Sequence, residues 1–143
     1  MNRFVSVLLV SFSIASISAM SQASPKTDQP PSSAQSKKTI EGLVRDIACP
    51  IQNLEAKATE FNLQCALECA RHGSPLIIQT ADGELYIPIS GSMPDTDQRE
   101  KLMPFVGKYV RASGTIYERK GTRAIVISDI KEMKEVQLTT DAK

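Results

Sequence analysis

The run Thr39-Ile40-Glu41-Gly42-Leu43-Val44-Arg45-Asp46-Ile47-Ala48-Cys49 decides the fold. Ile40, Leu43, Val44 and Ile47 give it the β-branched and apolar character of a strand, and Pro50 ends the pairing. Gly42 interrupts the pattern near its start. A glycine inside a strand marks a bulge or a sharp bend, as at the corner of a small barrel.

Downstream, Asn53 is positioned as an N-cap, and the apolar residues Leu54, Ala58, Phe61, Cys65 and Cys69 follow at steps of four, three, four and four. That spacing predicts one long helix with a single buried stripe, which carries both helix cysteines on the core side. His72 and Gly73 close it, with a possible cation in the last turn, a glycine able to take the left-handed cap, and Pro75 shortly after. Leu76 to Thr80 and Glu84 to Ile89 read as two strands around the tight turn Ala81-Asp82-Gly83. Asp95 and Gln98 have capping-box spacing for a short helix that stops before Pro104. Tyr109 to Tyr117 alternates, with Val110, Ala112, Gly114 and Ile116 on one face. A turn at Glu118 to Gly121 leads into the β-branched run Arg123 to Ile130.

The order is strand, long helix, strand, strand, short helix, strand, strand. Five short strands with glycine-marked bends predict a mainly β protein: a five-stranded Greek-key barrel of the oligonucleotide/oligosaccharide-binding (OB) kind, with a helix inserted after the first strand. The competing arrangement is a two-layer α+β sheet with the helix on one face.

Upstream, Met1 to Ala23 carries one charge, Arg3, and then an apolar run too short to span a bilayer. This is the pattern of a secretory signal peptide, with Ser21-Gln22-Ala23 as the cleavage site. Cleavage would leave no stable membrane span and would place the protein in the periplasm or outside the cell. Residues 24–38 contain no Val, Ile, Leu, Phe or Met and predict a flexible linker. The domain is then 39–134, and 135–143 is expected to be a frayed tail. Removing Arg3 turns 17 basic and 16 acidic residues into 16 and 16. That balance argues against nucleic acid as a partner, because neutralising phosphates supplies much of such binding.

All three cysteines, Cys49, Cys65 and Cys69, and the one histidine, His72, fall within the first strand and helix. An oxidising compartment favours pairing, yet three thiols cannot all pair within one chain. One reading is a structural disulfide from Cys49 to Cys65 or Cys69 that pins the helix to the sheet, worth about 3 kcal/mol by loop closure. A second is a soft-metal site for Cu(I) or Zn(II). Cys65 and Cys69 lie one helical turn apart, Cys49 adds a third sulfur, and His72 or Asp46 completes the shell. A third is thiol–disulfide exchange, disfavoured because the helix pair is expected near a C-terminal dipole end that opposes thiolate.

Other chemistry is thin. Asp46, Asp82, Asp95, Asp97 and Asp129 sit at strand ends or turns, where Asp is a common structural residue. Tyr86, Tyr109 and Tyr117 read as sheet packing. There is no Ser/His/Asp order, phosphate loop or metalloprotease motif, so no catalytic residue is assigned and an enzyme is not expected.

Asp46-Ile47-Ala48-Cys49, Cys65-Ala66-Leu67-Glu68-Cys69 with Gly73, Asp82-Gly83-Glu84-Leu85-Tyr86, and Val106-Gly107-Lys108-Tyr109-Val110 with Ser113-Gly114 resemble small exported bacterial OB-like domains of uncharacterised function. The likeness covers about Ile40 to Ile130, and its most specific part is the Cys…Cys-x-x-x-Cys pattern. Some such domains carry a His one turn before the first helix cysteine, where this chain has Phe61. The resemblance implies fold and export. The expected function is therefore a secreted or periplasmic, non-enzymatic binding module for a small ligand or an envelope protein, with a copper- or zinc-handling protein as the alternative.

Overall fold

The computed structural model describes residues 34–141; the expected signal peptide lies outside them. β1 (Ala34–Asp46) pairs antiparallel with two strands at once. Its first part, from Ala34 to Leu43, lies along β4 (Tyr109–Arg119). Its second part, from Gly42 to Asp46, lies along β2 (Leu76–Thr80). Gly42 and Leu43 belong to both pairings, so the strand turns from one neighbour to the other where the sequence places its glycine. A Cβ on Gly42 would fall 2.3 Å from the Gln79 carbonyl oxygen, which explains the residue: the bend brings two backbones too close for a side chain.

β2 continues into β3 (Leu85–Pro88) through the expected turn, where Gly83 takes a positive φ of 87°. β3 pairs in parallel with β5 (Thr122–Glu132), and β5 pairs antiparallel with β4. The order β1-β2-β3-β5-β4 closes on itself. Every strand thus has two neighbours, whereas a two-layer sheet would leave two open edges. The protein is a closed five-stranded barrel of the OB-like plan, with short helices added. The β4–β5 hairpin turns at Lys120 and Gly121, both at positive φ (49° and 83°). That pair of angles is the kind the right-handed twist of a hairpin selects.

Inside the barrel, Val44, Ile78, Val110, Ala112, Ile116 and Ile125 are almost wholly buried. The alternation expected from Val110 to Ile116 is therefore the core face of β4. A second apolar cluster forms outside the barrel wall, where Leu43 and Tyr109 are covered by Ala58, Phe61 and Ala66 from the β1–β2 connection.

Four expectations are corrected. The linker ends earlier than expected: residues 34–38 form ladder bonds with Gly114 to Glu118, which need backbone groups and not apolar side chains. The single long helix is two, α1 (Ala48–Gln52) and α2 (Leu63–Arg71). Leu54, which the helical stripe required to be buried, is 92% exposed. Asn53 and Asn62 each turn a side-chain oxygen to a nearby amide, of Glu55 (3.0 Å) and Cys65 (2.8 Å), and these local bonds displace the helical ones between them. The true N-cap of α2 is Asn62, and Pro50, expected to lie beyond a strand, sits buried in the first turn of α1, where its missing N–H costs little.

The tail is not frayed. Phe61 and Leu63 donate to the carbonyls of Thr139 (2.9 Å) and Thr140 (3.0 Å), and Thr139 donates to Thr59 (2.8 Å). Met133, Val136 and Leu138 pack on the second cluster. The fourth correction is the short helix, α3 (Arg99–Leu102), which lacks the expected Asp95 cap because that carboxylate accepts the Ser90 amide at 2.7 Å. A 3₁₀ turn over Met103–Phe105 then takes in Pro104. Among the described residues no helix is long and apolar enough to cross a membrane.

Candidate metal centre

The three cysteines come together from two helices. Cys49 lies in the first turn of α1, where its amide donates to the Asp46 carboxylate at 2.9 Å. Cys65 lies in the first turn of α2, its amide held by Asn62. Cys69 follows one turn later on the same face. The three sulfurs all stand within 4.8 Å of one another, and Cys49 and Cys65 are 4.0 Å apart. Cys65 is exposed, and the other two are half-buried.

Three sulfurs bound to one metal at about 2.3 Å stand roughly 3.8–4.0 Å apart, in tetrahedral and trigonal arrangements respectively. A disulfide requires about 2.05 Å. The Cys49–Cys65 edge of 4.0 Å matches the first figure, and among the described residues no pair of cysteines is at bonding distance. His72, expected as a further ligand, is not brought to the cluster. Its side chain is 83% exposed and faces Glu68 at 3.8 Å. His72 is the C-cap of α2, and its ring nitrogens are not among the ligand atoms that cluster with the sulfurs.

Splitting the long helix also changes the electrostatics. Cys65 sits at the N-terminal end of a nine-residue helix, where the peptide dipoles favour negative sulfur, and not near a C-terminal end as expected. Against this, burial pushes the Cys49 and Cys69 thiols above their ordinary value, and the Asp46 carboxylate raises both further. These two thiols are therefore protonated near neutral pH.

Beneath the sulfurs, the end of β1 buries two successive charged residues. Asp46 is fully buried; one oxygen caps α1 and the other, Oδ2, has no hydrogen-bond partner. Arg45 is 5% exposed, and its Nη1 donates to Gln79 Oε1 at 3.3 Å. Gln79 in turn donates to the Ala56 carbonyl at 2.7 Å, and the guanidinium lies 5.9 Å from the centre of the Phe61 ring. Arg45 Nε has no partner. The sequence reading placed Asp46 near the site and overlooked Arg45. Its signal was an Arg-Asp pair directly after the apolar Leu43-Val44 at the end of the strand. Tyr86 and Tyr109 are buried in the two clusters, in agreement with sheet packing. No protein-family model, curated protein or solved structure matches this chain.

Proposed function

We propose that this protein is a non-enzymatic thiophilic-metal carrier, exported by its N-terminal segment, which binds Cu(I) or Zn(II) through Cys49, Cys65 and Cys69. The observation that carries this reading is the triangle of free thiols, 4.0 Å along its Cys49–Cys65 edge and within 4.8 Å throughout, which lies close to one metal–sulfur shell. Thiolate donors select soft or borderline d10 cations over Mg(II) or Ca(II). The fully buried Asp46, with one unpartnered oxygen, lies next in the chain to the turn that carries Cys49 and is a further oxygen donor to test. Raised thiols are poor nucleophiles near neutral pH, which disfavours thiol exchange as the activity. A metal ion displaces those protons and protects the sulfurs from oxidation in an exported protein.

The second reading keeps the protein as a binding module whose insert is fastened by a Cys49–Cys65 bridge. It is favoured by the 4.0 Å approach of that pair.

Elemental analysis and free-thiol counting on protein isolated from the periplasm separate the two. The metal reading expects one copper or zinc per chain and three thiols titratable after chelation. Cys49→Ser, Cys65→Ser and Cys69→Ser are each expected to lose the metal in competition with a chelator, and His72→Ala to keep it. One free thiol, one disulfide and no metal would establish the bridge instead.

A further inference from the structure

The sulfurs of Cys49, Cys65 and Cys69 form a group that, among the described residues, no carboxylate oxygen and no histidine nitrogen joins. Asp46 has one oxygen committed to the Cys49 amide, and His72 faces Glu68. The described residues therefore bring three donors to a metal that in its tetrahedral form takes four. Zinc sites built from three protein ligands keep the fourth position for a water or an incoming molecule.

We propose that this fourth position binds a low-molecular-weight thiol, admitted through the cavity that borders the sulfurs. The proposal rests on the metal reading of the cysteine triangle and adds a ligand to it. The cavity measures about 530 Å³, and Cys49 and Cys65, whose sulfurs are 4.0 Å apart, both line it. A metal held by the triangle is thus reached across its Cys49–Cys65 edge, and Cys65 is itself exposed. Asp46, which meets the Cys49 amide, is fully buried, so that side is closed to solvent.

The rest of the lining decides the class of ligand. Arg45 and Lys57 are matched by Glu55 and Glu60, so the charges of the wall balance and favour neither an anion nor a cation. Asn53 and Asn62 have their side-chain oxygens engaged by the Glu55 and Cys65 amides, which leaves them N–H donors for a ligand's carbonyl. The volume lies in the small-molecule range and suits a molecule of amino-acid to dipeptide size without net charge. A thiophilic metal then selects sulfur over oxygen in such a molecule. The exchange balances without an oxidant: the thiol gives its proton to solvent, its sulfur bonds the metal and a water leaves.

The test uses the reduced full chain loaded with cobalt(II), which takes tetrahedral zinc sites and reports sulfur ligands through its charge-transfer absorbance. N-acetylcysteinamide, which carries one thiol and no charge, is titrated in, with N-acetylserinamide as the hydroxyl control. The absorbance is expected to saturate at one thiol per cobalt and to grow by roughly a third as four thiolates replace three. Native mass spectrometry should show protein, cobalt and thiol together in equal numbers. The serinamide is expected to bind at least about tenfold more weakly. Gln52→Trp, at an exposed position of the lining, narrows the cavity. It should keep the three-sulfur absorbance and weaken thiol binding several-fold. A three-sulfur absorbance that ignores the thiol, a thiol that strips the cobalt, or equal thiol binding in Gln52→Trp overturns the proposal while the metal reading stands. Absence of any cobalt–sulfur absorbance overturns the metal reading, and this proposal with it.

Discussion

Asp46 accepts the amide of Cys49 at 2.9 Å, and this bond converts the end of β1 into the start of α1 within three residues. It fixes the first sulfur over the barrel wall and sets a buried carboxylate beneath the thiol cluster. The same residue therefore caps a helix and controls thiol chemistry. Asp46→Asn keeps a side-chain oxygen for the cap and removes the charge. After burial, that charge is the largest influence raising both Cys49 and Cys69. Both thiols are expected to ionise at lower pH in Asp46→Asn, measured as thiolate absorbance and alkylation rate against pH. Unchanged titration curves would show that Asp46 does not act on the sulfurs.

Stability should depend on pH in opposite senses with and without metal. The folded-state values of Cys49 and Cys69 lie above the ordinary thiol value of 9.0. Between the two values the folded chain holds more protons than the unfolded one, so this contribution is complete below pH 9 and lost as pH rises through the folded values. The metal-free Tm is expected to fall above about pH 9. The gain in Tm from added zinc is expected to grow as pH rises from 6 to 8, since fewer protons must then be displaced. A zinc effect independent of pH would mean that thiolates are not the ligands.

The C-terminal segment holds the insert in place. Ending the chain after Glu132 removes the carbonyls that take the Phe61 and Leu63 amides, together with the packing of Met133, Val136 and Leu138. The expected loss is about 2–4 kcal/mol, counting roughly 1 kcal/mol per hydrogen bond plus partly buried apolar area. Hydrogen exchange should accelerate at Phe61 and Leu63 while barrel amides such as Ile78 remain slow. Equal protection in the full and shortened chains would contradict this account.

Gly42→Ala tests the bend that closes the barrel. The added methyl meets the Gln79 carbonyl at 2.3 Å and a side-chain carbon of Ile78 at 2.9 Å, so β1 and β2 must separate. Overpacking of this kind costs about 1–3 kcal/mol, and contact with backbone places it at the upper end. Denaturant unfolding measures it; a change below about 0.5 kcal/mol would show that the strands can part freely.

Periodicity along the chain was enough to recover the barrel, because a strand's alternation and its turn residues are local. Val110, Ala112, Gly114 and Ile116 alternate inward, Gly42 marks the bend, Gly83 and Gly121 mark the hairpins, and these signals act within a few residues of themselves. The insert was less legible. Leu54, Ala58, Phe61, Cys65 and Cys69 have helical spacing, yet what buries Ala58 and Phe61 is a sheet face and a tail, not one helix stripe. The spacing was shared by two different structures, and the deciding partner of Phe61, the carbonyl of Thr139, lies far along the chain.

By itself, then, the sequence determined a single small β domain with five strands and all its thiols in the first connection, since composition, alternation and turn chemistry are properties of neighbouring residues. Only the tertiary structure decided that Cys49 meets Cys65 and Cys69 in one triangle, that His72 stays outside it, and that Arg45 and Asp46 are buried beneath it. The physical reason is that these relations depend on where Asn53 and Asn62 interrupt a helix and on which backbone groups the returning tail supplies. The asparagine bonds are local and the tail's are long-range, and the spacing of apolar residues along the chain carries no record of either.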